Sequence, residues 1–171
     1  DLSGVQSAAE AEQVIGEAVR ALGRLDILVN NAGIIRRAPA IELGEEDWQE
    51  VLGLNLSSVF YLSQAAARHF VAAGQGGKII NIASMLSFQG GILTPAYAAA
   101  KSGLAGLTRA LANEWAALGI NVNAIAPGYI ETPLLSDMSL AMKTLFIAQT
   151  PMGRLGTPEE IAAAALYLAS P

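Results

Sequence analysis

Lys78-Ile79-Ile80-Asn81-Ile82-Ala83-Ser84 decides the fold. Its aliphatic run reads as a buried strand, and it ends in a small polar residue where a side chain faces a crevice. Gln75-Gly76-Gly77 ahead of it is a turn, and the chain alternates helix with strand on either side. Upstream, Ala8–Leu22 follows Ser7, carries Val14, Ile15, Ala18, Val19 and Leu22 at helical spacing, and meets a left-handed cap at Gly23. Ile27-Leu28-Val29 has no polar alternation, the pattern of a strand covered on both faces. Glu45–Phe70 is mostly helical, with Trp48, Val51, Leu52, Asn55, Leu56, Val59, Phe60 and Leu62 as its apolar face. Downstream, a long Ala- and Leu-rich helix over Tyr97–Leu118 stops at Gly119, and Ile120–Ile125 is a third strand closed by Pro127-Gly128. Thr157 caps a last helix that starts at Pro158 and runs through Leu168. This order implies an α/β fold: one doubly wound parallel sheet, with helices on both faces, over residues 1–171. Ligands in such sheets sit beyond the carboxyl ends of the strands, here Asn30–Gly33, Ala83–Ser87 and Ala126–Thr132.

Composition narrows the function classes. The 171 residues fit one domain of roughly 150 residues. At 53% hydrophobic and 15% charged the chain is too apolar for disorder. Ten Lys and Arg against fifteen Asp and Glu, net −5, exclude a polycationic nucleic-acid binder. Ile161–Ala169 is far short of the roughly 20 residues a membrane span needs. Zero cysteines exclude disulfides, thiolate metal sites and a cysteine nucleophile. The single histidine, His69, has no partner histidine, so no metal is expected. A cytoplasmic protein without nucleic-acid or membrane partners is the expectation. Asp1-Leu2-Ser3-Gly4 and Ala169-Ser170-Pro171 read as trimmed ends, and Trp48 and Trp115 as core or interface residues.

Tyr97 and Lys101 stand four residues apart in a helix and so project from one face. A free tyrosine, with a pKa near 10, is a poor base at neutral pH, and a neighbouring ammonium favours its phenolate. Moving it by about three units takes roughly 4 kcal/mol. Ser84 past the second strand completes a constellation suited to moving a proton at a substrate oxygen.

Ser84 followed by Tyr97-Ala98-Ala99-Ala100-Lys101 resembles the Ser…Tyr-x-x-x-Lys signature of the short-chain dehydrogenase/reductases. Asn30-Asn31-Ala32-Gly33, Asn55 within Leu54-Asn55-Leu56, Pro127-Gly128-Tyr129-Ile130-Glu131-Thr132 and the Asp1-Leu2 pair are similar to further segments of that family, in its order. The resemblance implies a Rossmann-like fold and a nicotinamide cofactor, NAD with NADP left open. It gives Tyr97 the role of general acid/base, and makes Lys101 hold the nicotinamide ribose and lower the pKa of Tyr97. Ser84 would polarise the substrate oxygen, and Asn55 would position a water leading from Lys101 to solvent. Asp1 and Leu2 would meet the adenine, and Asn31, Ala32 and Gly33 would line the cofactor. Pro127, Gly128, Ile130 and Thr132 would cover the nicotinamide end.

The family's Thr-Gly-x-x-x-Gly-x-Gly pyrophosphate loop is expected upstream of Asp1, because Gly74, Gly76 and Gly77 precede a strand instead of joining strand to helix. The fold is therefore expected to be incomplete, lacking the N-terminal βαβ units and the last strand, with a strand edge left open. Asn30–Arg37 and Ile82–Gly91 are similar to the sugar-acid branch of the family. This implies a substrate such as 2-deoxy-D-gluconate or 2-dehydro-3-deoxy-D-gluconate, bound as carboxylate by Arg36 or Arg37 and through hydroxyls by Gln89. The family expectation is a homotetramer joined through the long helix. Alternatives are an NADPH-dependent 3-oxoacyl-[acyl-carrier-protein] reductase and a non-catalytic remnant that binds a partner through its helices.

Overall fold

Residues 5–132, 135 and 138–171 are described by a computed structural model. They belong to two compact units, 1–126 and 127–171. The first is built on a parallel sheet of β1 (Ile27–Asn30), β2 (Gly77–Ile82) and β3 (Ile120–Ile125) in that order. Asn30 pairs with Asn81, and Ile82 with Ile125, so the three carboxyl ends finish in line.

Helix α1 (Ala8–Leu22) starts where Ser7 Oγ accepts the Glu10 N–H, and it ends where Gly23, at φ 81°, donates to the Val19 carbonyl. The single helix expected over Glu45–Phe70 is three pieces: α2 (Glu45–Leu52), a π turn over Gly53–Ser57, and α3 (Ser58–Ala72). The cause is local. Asn55 Nδ2 donates to the Val51 carbonyl at 2.9 Å, the acceptor its own backbone N–H would use in a regular helix. A one-turn α4 (Leu86–Gln89) follows β2, and Pro95 opens α5 (Pro95–Trp115) two residues before the expected start. The last turn of α5 tightens to a 3₁₀ form over Ala116–Leu118 before Gly119 at φ 72°.

The main core joins Ala11 and Ile15 of α1, Leu62, Ala66 and Phe70 of α3, and Leu111 and Trp115 of α5 to Ile79, Ile120 and Val122 of the sheet. Leu28 packs with this core, but Ile27 and Val29 on the other side of β1 are 41% and 46% exposed. The expectation that β1 is covered on both faces therefore holds on one face only. Trp115 is core, whereas Trp48 is 37% exposed.

In the second unit, α6 (Leu140–Gln149) is a helix the sequence reading did not anticipate, and α7 (Pro158–Ala169) carries the expected Thr157 cap. Thr157 and Glu160 form a capping box, and Arg154 grips the Glu160 carboxylate at 2.6 and 2.9 Å, holding it down to about 2. Tyr129 stacks on Phe146 with centroids 3.8 Å apart, and Ile130 bridges Gly156. Among the described residues no helix is long and apolar enough to cross a membrane.

Gly76 and Gly77 have structural work at the start of β2. A Cβ on Gly77 would lie 2.4 Å from the ring of Phe70, which is 0% exposed and has no room to yield. Gly77→Ala is expected to lower stability by about 1–3 kcal/mol in urea unfolding. An unchanged midpoint would show that the ring can move.

Candidate active site

Lys101 is the most constrained polar side chain at the ends of the strands. Only 4% exposed, it crosses from α5 to β2 and donates to the Ile82 carbonyl at 2.5 Å. Its Nζ lies 5.7 Å from the Tyr97 ring centroid, as the four-residue spacing on α5 requires. Burial pushes Lys101 down to about 8, because a desolvated ammonium is disfavoured. Burial also pushes the Tyr97 phenol up, while a hydrogen bond from Ser84 and the positive charge of Arg37 act in the opposite direction. This differs from the expected lowering of Tyr97 by Lys101. Desolvation of the phenol outweighs the charges around it.

Ser84 sits two residues beyond β2, 8% exposed, and its Oγ accepts the Leu86 N–H at 3.1 Å at the start of α4. The α4 turn is tied to α5 twice. Ser87 Oγ donates to the Lys101 carbonyl at 2.8 Å, and Ser102 Oγ donates to the Ser87 carbonyl at 3.1 Å. Sequence reasoning missed both serines, which carry no pattern of their own.

Asn55 is fully buried and works as a backbone clamp. Its Oδ1 accepts the Ile34 N–H at 3.1 Å, and its Nδ2 donates to the Ile34 carbonyl at 2.8 Å and to Val51. These bonds hold the loop that leaves β1 through Asn31, Ala32 and Gly33. A Cβ on Gly33 would stand 2.5 Å from Asn55 Oδ1 and 3.8 Å from Lys101 Nζ. The water-positioning role is the expectation for Asn55; what the structure shows for it is three hydrogen bonds to backbone. The π turn that carries it is a form often found at functional sites.

The arginines separate. Arg36 is drawn onto α2, with its guanidinium 2.8 Å from Glu50 and 3.5 Å from Asp47. Arg37 is exposed and its charge reaches the Tyr97 phenol. Its neighbour Ala38 donates to the Leu93 carbonyl at 3.0 Å, which fixes this loop beside the start of α5. Leu93 has φ 62°, a left-handed conformation costing a bulky residue about 1–2 kcal/mol. Gln89 lies exposed at the end of α4. Asp1 and Leu2 lie outside the described residues. Pro127, Gly128, Ile130 and Thr132 belong to the second unit.

Ser84, Tyr97, Lys101 and Asn55 thus meet at the carboxyl ends of a parallel sheet. Gly33 supplies a backbone there without a side chain. This set fits the nicotinamide-ribose half of a dinucleotide: an ammonium and a phenol as ribose partners beside open backbone.

Residues 3–171 match the family model described as Enoyl-(Acyl carrier protein) reductase. The chain is 54% identical over 161 residues to 2-dehydro-3-deoxy-D-gluconate 5-dehydrogenase of Escherichia coli K12, which covers 92% of this chain and 63% of that protein. It is 42% identical over 160 residues to a 3-oxoacyl-[acyl-carrier-protein] reductase of Vibrio cholerae, with 94% of this chain and 65% of that protein covered. The structure of a gluconate 5-dehydrogenase from Burkholderia cenocepacia, in complex with NADP and tartrate, superposes with a TM-score of 0.91 at 41% identity. That match covers 97% of this chain and 66% of the other. The chain belongs to the short-chain dehydrogenase/reductase family. It spans a little under two thirds of the length of these relatives.

The depressed Lys101 gives a test by stability. Its folded value of about 8 lies below the 10.5 of the unfolded chain, so between those values the unfolded chain binds more protons. Stability from this group therefore rises with pH through that window, by about 2 kcal/mol between pH 7 and pH 9.5. Tyr97, which burial pushes up, keeps its proton in the folded chain at both pH values and adds little between them. Urea unfolding at the two pH values should show the gain in the wild type and its absence in Lys101→Met. Equal gains in both would contradict the burial of a titrating Lys101.

Proposed function

We propose that the protein carrying this chain is a nicotinamide-dependent oxidoreductase that interconverts a hydroxyl and a ketone of a deoxy sugar acid. The candidates are 2-deoxy-D-gluconate and 2-dehydro-3-deoxy-D-gluconate. The observation that carries the reading is the convergence of Ser84, Tyr97 and Lys101, with Ser84 close enough to the phenol to favour its phenolate and Lys101 Nζ 5.7 Å from its ring. When bound, the nicotinamide ring supplies the hydride chemistry. The chain's own residues handle the proton and the orientation. Tyr97 exchanges a proton with the substrate oxygen. Ser84 donates to that same oxygen and fixes its distance from Tyr97. Lys101 holds positive charge beside the phenol, which lowers the free energy of the phenolate. Asn31, Ala32 and Gly33 line the cofactor. Pro127, Gly128, Ile130 and Thr132 keep the cofactor role that the likeness of their segment gives them, as do Asp1 and Leu2.

Two features favour a sugar acid over an acyl thioester. Identity is higher to the deoxygluconate enzyme, at 54% against 42%. Arg37 also stands uncommitted to the ion pairs that hold Arg36, on the side from which its charge is felt at Tyr97. A guanidinium offers a carboxylate two parallel hydrogen bonds, for which a neutral acyl chain has no use. In this reading Arg37 takes the carboxylate, Gln89 takes sugar hydroxyls, and Arg36 braces the loop. NAD or NADP, a homotetramer and a cytoplasmic location belong to the same reading.

Tyr97→Phe is expected to lower kcat by at least about 10³-fold, while cofactor affinity by fluorescence titration falls by no more than about ten-fold, the loss of one ribose hydrogen bond. Turnover close to wild type in that variant would end the proposed mechanism. Arg37→Ala should raise KM for the sugar acid by roughly ten-fold or more while leaving a neutral polyol nearly unaffected, whereas Arg36→Ala should chiefly loosen the loop. A ten-fold effect corresponds to about 1.4 kcal/mol, within the range of a charge-assisted hydrogen bond. Equal effects of Arg37→Ala on acid and polyol would remove Arg37 from the site.

A further inference from the structure

Asparagine is a poor residue for a buried strand, since its amide costs free energy there unless each donor is paired. Yet Asn30 and Asn81 stand side by side in register on β1 and β2, 6% and 0% exposed. Asn30 Nδ2 donates to Ser63 Oγ at 3.1 Å and to Asn81 Oδ1 at 2.9 Å. Asn81 Nδ2 donates to Thr108 Oγ1 at 3.0 Å, and the Thr108 hydroxyl donates to the Leu104 carbonyl at 2.8 Å. Ser63 and Thr108 are themselves 0% and 7% exposed. An unbroken line of hydrogen bonds thus runs from α3 through two strands into α5.

Its position gives it meaning. Asn30 immediately precedes the Asn31–Gly33 loop. Asn81 immediately precedes Ile82, whose carbonyl receives Lys101. Thr108 is seven residues beyond Lys101 on α5, two turns along the same face. Helix α5 is therefore pinned to two consecutive residues of β2 at two points, Thr108 to Asn81 and Lys101 to Ile82. Apolar packing is non-directional and tolerates a helix sliding or turning on a sheet, while hydrogen bonds between 2.8 and 3.1 Å do not.

We propose that the Asn30–Asn81–Thr108 chain is a positioning device: it sets the register of α5 against β2, and so fixes Tyr97 and Lys101 opposite Ser84. The inference rests on the oxidoreductase reading above. Asn81 and Thr108 touch neither substrate nor cofactor in it and act through Lys101 and Tyr97.

The test uses the intact enzyme and three variants, assayed well below their melting temperatures. Thr108→Val keeps the shape and removes the hydroxyl, Thr108→Ser restores it, and Ser63→Ala removes the far end of the chain. Thr108→Val should lower kcat at least ten-fold and move the kinetic pKa assigned to Tyr97 to higher pH, with the KM for cofactor within two-fold of wild type. The pH shift follows because a displaced α5 carries the phenol away from Ser84 and Arg37, the groups that favour its phenolate. The charged groups facing Tyr97, Lys101 from α5 and Arg37 from the loop after β1, are unaltered in these variants. Thr108→Ser should be within two-fold of wild type, and Ser63→Ala should lower kcat two- to five-fold. A folded Thr108→Val enzyme with the wild-type pH profile and kcat would overturn the proposal. If Thr108→Val does not fold, a Ser63→Ala enzyme with wild-type kcat overturns it instead. A wild-type enzyme whose turnover is insensitive to Tyr97→Phe would bring down the oxidoreductase reading itself, which separates the two failures.

Discussion

A buried ammonium must be satisfied where it lies, and the Lys101 Nζ bond to the Ile82 carbonyl is the constraint around which the first unit is arranged. It joins the helix that carries Tyr97 to the strand that leads into Ser84. Removing a charge from water is expensive, so the side chain persists there only with a strong partner and close surroundings. The surroundings are close: Gly33 has no space for a methyl group between Asn55 and Lys101. Burial also brings the lysine down to about 8, which makes its charge a quantity the protein can adjust near neutral pH.

The backbone around this bond is held from several sides by side chains that need not touch a substrate. Asn55 clamps Ile34 and also takes the Val51 carbonyl of its own helix, so that a π turn and control of the loop after β1 go together. Ser87 and Ser102 tie α4 to α5, and the Leu93 carbonyl, in a strained conformation, receives Ala38. Strain of this kind persists only where surrounding contacts over-determine it. The result is a frame that sets the backbone around Ser84, Tyr97 and Arg37.

Adjacent arginines with one chemistry are given different duties by what their neighbours offer. Asp47 and Glu50 stand on α2 and occupy Arg36, at the surface where each ion pair contributes little to stability but fixes direction. Arg37 lacks those partners and projects its field onto the phenol instead.

Much was legible in the chain itself. The order of elements followed from short aliphatic runs such as Ile79–Ile82 between periodic helices, because period and punctuation are local properties. Ser84, Tyr97 and Lys101 were legible as candidates from a strand end and a four-residue helical spacing, and Asn55 only through the likeness of its segment to the family. What the sequence could not reveal depends on which atoms meet. The π turn at Gly53–Ser57 goes with an Asn55 side chain that takes the Val51 carbonyl, and α6, although Ser139 caps it, lacked periodicity strong enough to read. The opposed shifts of Tyr97 and Lys101 come from burial, which no spacing records. The separation of Arg36 from Arg37 likewise awaited the packing of α2. Sequence alone determined the fold class and brought Ser84, Tyr97 and Lys101 forward as candidates, since those rest on local pattern. Tertiary structure decided their charge states, their partners and their orientation, since desolvation and hydrogen-bond geometry arise only between segments far apart in the chain.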